Sequence, residues 1–180
     1  ESALENLGSL IGDITENMMR SQSWIFMQMG RHIERGITSA QILDEMYLQE
    51  EELSETLLRR ILELCDCSIT YRRRYLNNLN ATAVLDMLVF DTTNPRSLIF
   101  QADSLRELLK KLPHATTDSR HPIDTYATQL FGQIGMTNAE ELLEHLANPD
   151  DAQMRDFFQS TIDKLTHLSV MIETGYFAHT

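Results

Sequence analysis

Long apolar runs are missing from this chain. No stretch of about 18 residues is apolar enough to span a bilayer, and the N-terminus lacks the basic and apolar regions of a signal peptide. The reading is a soluble, cytoplasmic chain with no membrane partner. Cysteine is scarce as well: Cys65 and Cys67 are the only two. They lie two apart in an apparently helical run, which turns them about 200° from each other and prevents a bridge, so they read as reduced thiols. Basic charge is in deficit, with 15 Lys and Arg against 27 Asp and Glu and a net charge of -12. That excess repels phosphate backbones and argues against nucleic acid. Chemical signatures are absent too. There is no His-Glu-x-x-His, no Cys-x-x-Cys, no glycine-rich loop ending in Lys and Ser or Thr, and no Gly-x-Ser-x-Gly. Glu141 and His145 stand four apart but lack the further Glu and His residues of a carboxylate-bridged metal bundle. No metal, no cofactor and no catalytic residue is expected.

What remains is helical. Apolar residues recur at steps of three and four almost throughout, and no run alternates long enough for a sheet. The expectation is an all-α fold, a single multi-helix bundle of about seven or eight helices spanning residues 1–180 as one domain. A chain of this length can bury about 70% of its unfolded surface without staples. It begins with Glu1 in place of Met, so a fragment of a longer protein is expected.

Leu4, Leu7, Ile11, Ile14 and Met18 form the first seam. Ser21 can cap a long helix reaching Leu48, and Glu50-Glu51-Glu52 opens another running towards Tyr75. Asn80 can cap a short helix holding Val84, Leu85, Leu88 and Val89. Asp91-Thr92-Thr93-Asn94-Pro95 reads as a turn that starts a helix at the proline, with Leu98, Ala102, Leu105, Leu109 and Leu112 inward. His114 to Pro122 is the best loop candidate, followed by helices near Asp124–Ile134 and Asn138–Ala147. A last long helix starts about Pro149 and turns Phe158, Ile162, Leu165 and Ile172 inward.

Arginine supplies 12 of the 15 basic residues, the cation suited to bidentate pairing with carboxylate or phosphate. Arg31 and Arg35, four apart, share one helical face beside Trp24 and Ile42, away from the apolar stripe of Phe26, Met29, Ile33, Ile37 and Ala40. Glu34 can pair with Arg31, but one carboxylate cannot saturate two guanidiniums, so a second acid or a bound anion is expected. The preferred reading is an ion network tying helices; the alternative is an anion or partner-binding face. In Tyr71-Arg72-Arg73-Arg74-Tyr75 the tyrosines read as packing residues on a stripe with Leu64 and Ser68. The arginines read as a solvated or docking face, and stacking on nucleic acid is the lesser reading. Around Asp91, Asn94 and Arg96 a capped turn is preferred, with Asn94 as the cap and Asp91 steadying the loop; Arg96 beside free helix N-H groups is the anion-binding alternative.

In order along the chain stand Met19-Arg20, Trp24-x-Phe26-x-x-x-Gly30-Arg31-x-Ile33-Glu34-Arg35, Leu43, Tyr71 to Tyr75 and Val84-Leu85-x-x-Leu88. Asp91-x-x-Asn94-Pro95-Arg96-Ser97 follows, and the chain ends on Leu168-Ser169 and Tyr176-Phe177-Ala178-His179. This set closely resembles the bacterial alpha-E domain, a helical family named for its Glu-Arg motif. The family commonly holds two versions of the Glu-Arg helix; this chain has one, matching the C-terminal half. The resemblance implies a helical accessory module. Such domains are typically fused to, or encoded beside, circularly permuted ATP-grasp proteins and transglutaminase-like peptidases, an association suggesting amide-bond formation or peptide modification. It implies a protein partner, an ATP-grasp module in cis or trans that would carry any ligase chemistry. A homo-oligomer is the other assembly considered.

Overall fold

The periodic segments condense into helices in the computed structural model, which describes Ser9, Gly12 and residues 16–48, 54–76, 78–113, 122–146 and 153–177. Among these residues there is no strand. The α-helices are α1 (Gln22–Leu48), α2 (Glu55–Leu64), α3 (Ser68–Tyr75), α4 (Ala81–Leu85), α5 (Leu98–Leu109), α6 (Pro122–Gly135), α7 (Ala139–Leu146) and α8 (Gln153–Tyr176). A π-helical turn, Asp86–Phe90, continues α4.

Four of these helices form an up-and-down bundle. Asp44 takes a hydrogen bond from Gln159, Gly36 faces Leu165, and Phe26 packs edge-on against Tyr176, so α1 and α8 run antiparallel. Gln133 donates to Ser160 while Tyr126 meets His167, which makes α6 and α8 antiparallel. Arg106 lies over Phe131 and Gly135 approaches Ile99, so α5 opposes α6. The fourth side is α1 against α5, where His32 reaches Phe100 and Gln101. The interior is apolar, with Met29, Leu43, Leu105, Leu130, Phe158 and Leu168 all buried. The remaining helices sit in the connections at one end of this bundle: α2 to α4 between α1 and α5, and α7 between α6 and α8. There α7 packs on α4 and α8.

Several expected boundaries move. The helix expected from Glu50 to Tyr75 is two helices. Ser54 accepts the Leu57 N-H and starts α2, and the stretch from Glu50 to Glu52 lies outside the described residues. At the far end of α2, Asp66 takes φ 54°, its N-H bonds Glu63 O at 3.0 Å, and the Cys67 N-H bonds Leu62 O at 2.8 Å. These paired bonds close the helix in the manner usually given to glycine, and Asp is among the few other residues that tolerate the left-handed region. Cys65 and Cys67 therefore belong to a tight turn, both buried and unbridged. Leu64 leaves the proposed stripe and is 56% exposed. Neither Pro95 nor Asn94 starts α5: Ser97 is its N-cap, with Oγ accepting from the Phe100 N-H at 3.1 Å. The seam from Leu4 to Ile14 and the loop from His114 to His121 lie outside the described residues, while Pro122 opens α6.

Candidate functional site

Two neighbourhoods at the capped end gather the residues singled out from the sequence. The turn from Asp91 to Ser97 is the first, fixed by hydrogen bonds in every direction. One Asp91 carboxylate oxygen accepts from the Thr93 N-H at 2.9 Å and from its hydroxyl at 2.7 Å, and the other pairs with Arg74. Burial alone would raise this carboxyl, but the Thr93 bonds and the Arg74 charge outweigh it and hold its pKa below the ordinary carboxylate value. Asn94 donates to Met87 O at 2.8 Å, a carbonyl of the π turn, and accepts the Arg96 N-H at 3.1 Å. Ser97 donates to Asp91 O at 2.6 Å. Fully buried Gln101 donates to Pro95 O at 2.8 Å and to Ser97 O at 3.2 Å, which leaves its carbonyl to accept from His32 Nδ1 at 2.7 Å.

That turn delivers Arg96 to the second neighbourhood, an open cleft of about 450 Å³ lined by Arg31, Glu34, Arg35, Thr38, Ser39, Ile42, Leu64, Cys65 and Arg96. Among the described residues no carboxylate closes an ion pair on Arg31 or Arg35, and Glu34, though it lines the cleft, is exposed. Among the described residues, then, no ion pair joins Arg31, Glu34 and Arg35 in the expected network. Arg96 does pair, with Asp66 Oδ2 at 2.6 Å, but that carboxylate is 78% exposed and such pairs are worth about 0–1 kcal/mol. The Arg35 pKa falls below its ordinary value through burial first, then through the positive charges of Arg31 and Arg96. No carboxylate is among the causes, so the field at Arg35 is cationic. Trp24, expected beside this face, is not among the residues that line the cleft and carries the Arg20 guanidinium 4.5 Å from its ring.

Tyr71 to Tyr75 does not reach this cleft. Tyr71 is buried, donates to Asn78 O at 2.9 Å and stacks on Tyr75 with centroids 4.8 Å apart. Arg72 and Arg73 are exposed, and Arg74 turns back to Asp91. Tyr71 and Arg72 line a smaller cavity of about 170 Å³ with Arg59, Leu62, Glu63 and Leu79. Sequence reading placed Ile42 beside the two arginines, set Leu64 on another stripe, and missed Gln101, Asp66, Thr38 and Ser39. Gln101 did leave a signal, a polar residue three after Leu98 and four before Leu105 on the inward stripe.

Among the described residues, no three His, Cys, Asp or Glu side chains come together to hold a metal, and no helix is long and apolar enough to cross a membrane. A family model described as a predicted alpha-helical domain with a conserved ER motif, Alpha-E, matches residues 1–177. Glu34-Arg35 is the only Glu-Arg step in the chain. An uncharacterised protein of Mycobacterium tuberculosis and one of Mycobacterium bovis are each 28% identical over 155 residues, 85% of this chain. The chain spans only 17% of the length of those relatives. No solved structure matches.

Proposed function

The chain belongs to the Alpha-E family, and from that premise we propose that it is a non-catalytic helical accessory domain which docks on a protein partner through its arginine cleft. One observation carries the reading: Arg31 and Arg35 face an open cleft without a described carboxylate on either. Partly desolvated guanidiniums with free donors gain strongly when a planar or tetrahedral oxyanion arrives from outside. Arg96 stands on a turn held by Asn94, Ser97 and Gln101 and joins them with the donors that its pairing to exposed Asp66 leaves over.

The wider setting follows from the family resemblance. The partner is an ATP-grasp module in cis or trans, within a cytoplasmic peptide-modifying or amide-bond-forming system, and ligase chemistry resides in that module. Support for a module within something larger comes from the mycobacterial relatives, whose match covers 17% of their length.

Titration of the chain with a separately expressed ATP-grasp module, taken from the same polypeptide or from a neighbouring gene, tests this. Arg31→Ala with Arg35→Ala, in a variant whose circular dichroism and melting curve are unchanged, should weaken the complex by about a hundredfold, two lost charge-assisted contacts of ~1.5 kcal/mol each. Unchanged affinity removes the arginines from the interface. A second reading has its own observation, because Glu34 lines the same cleft. In that reading the domain is an enzyme, with Glu34 as acid or base on an anionic substrate. Glu34→Gln separates the two, since turnover of a supplied substrate would collapse while docking on the partner would persist.

A further inference from the structure

Three guanidiniums converge on one cleft. Arg31 and Arg35 stand one turn apart on α1, and Arg96 arrives from the turn before α5. A single bidentate arginine satisfies both oxygens of a carboxylate, whereas a phosphate monoester offers three terminal oxygens and close to two negative charges at neutral pH. The acids at hand do not supply that charge. Glu34 is exposed and closes no ion pair with Arg31 or Arg35, Asp66 engages Arg96 at 2.6 Å from an exposed position and leaves that guanidinium with further donors, and half-buried Arg35 lies in the positive field of the other two arginines.

The rest of the wall is not built for a bare ion. Ile42 and the half-exposed Leu64 form an apolar side, and Thr38 and Ser39 add hydroxyl donors. A volume of about 450 Å³ lies within the range of small-molecule pockets, about 300–1,000 Å³, with room for an organic body beside the phosphate.

We propose that this cleft is a receptor for a small organic phosphate monoester, with the phosphate among Arg31, Arg35 and Arg96 and the organic body against Ile42 and Leu64. The proposal rests on the cleft being the functional, oxyanion-binding face and gives the same arginines a small ligand as an alternative occupant to the partner's oxyanion.

Calorimetric titration of the whole chain at low salt tests it with three probes: phenyl phosphate, inorganic phosphate and phthalate, a planar dicarboxylate. Phenyl phosphate should bind about tenfold or more tighter than phthalate, and several-fold tighter than inorganic phosphate because of the apolar wall. Arg35→Gln should weaken it about tenfold or more, and Lys110→Gln, at the far end of the bundle, should leave it unchanged. If Arg35→Gln fails to fold, Arg31→Gln and Leu64→Ser carry the test, the second removing only the preference over inorganic phosphate.

Equal binding of phthalate overturns the phosphate assignment, as does phenyl phosphate affinity indifferent to Arg35 and Arg31. Equal binding of inorganic phosphate overturns the organic body. If no probe binds but the arginine variant still loses the protein partner, the ligand assignment falls and the docking reading stands; if the partner is also indifferent, both fall.

Discussion

His32 stands beside two cations and is half-buried against Phe100, so its imidazole is held below the ordinary value of 6.5. Burial is the largest cause, opposed by the Gln101 hydrogen bond and reinforced by Arg35 and Arg31. The unfolded chain therefore takes up this proton first. The stability from neutral His32 is complete above pH 6.5 and is lost as the pH falls below it and through the lowered folded value. His32→Gln keeps an N-H for Gln101 and never charges. It should flatten the fall in melting temperature between about pH 7.5 and pH 5 relative to the parent. Parallel curves would show that His32 does not titrate differently on folding. The cysteines give a second prediction at this scale. Burial pushes the Cys65 thiol up to about 12 and the Cys67 thiol in the same direction, which removes the reactive thiolate. At about pH 8 a disulfide reagent should modify neither in the folded chain and both in guanidinium, and fast labelling without denaturant would contradict it.

Helix α1 carries two glycines with opposite surroundings. A Cβ at Gly30 would meet nothing within 4 Å, whereas one at Gly36 would lie 2.7 Å from Leu165 Cδ1, a side chain buried between α8 and α1. Gly30→Ala should stabilise by about 0.5–1 kcal/mol through helix propensity. Gly36→Val should cost about 1–3 kcal/mol by overpacking the contact of α1 with Leu165 on α8. Urea midpoints measure both, and a stabilised Gly36→Val would mean the helices separate at little cost. The same helix shows what could be read in advance. The steps through Met29, Ile33 and Ala40 announced its buried face, and the four-residue spacing of Arg31 and Arg35 announced a shared cationic side. The break between α2 and α3 gave no such notice, because the left-handed position is filled by Asp66 and not by glycine. Arg96 belongs to the cleft through tertiary folding alone, carried there by a turn whose cap, Ser97, is one of several adjacent residues able to do that work. The bundle was legible from local periodicity, and the cleft was legible only on the wall that one helix supplies.

At the scale of the whole molecule a net charge of -12 surrounds one cationic cleft, and the two act over different distances. A small dianion seated in the cleft shares its walls with three arginines and answers to the local field. A nucleic acid must also lay neighbouring phosphates along the outer surface, where acids outnumber bases. At about 20 mM salt the Debye length is on the order of 20 Å, so the polymer feels the net charge before any phosphate reaches Arg35. The remaining basic cluster does not change this balance, since Arg74 is engaged by Asp91 and the two tyrosines stack on each other and pack inward. A 20-base-pair duplex, a length of about two helical turns, should therefore show no retardation in a gel-shift titration carried to about 100 µM chain at that salt, weaker than the 10⁻⁴–10⁻⁶ M usual for non-specific binders. Phenyl phosphate should still bind under the same conditions. Retardation that weakens steeply with added salt and disappears in Arg72→Gln, Arg73→Gln would restore α3 as a nucleic-acid face, because those two arginines are exposed and lie outside the cleft.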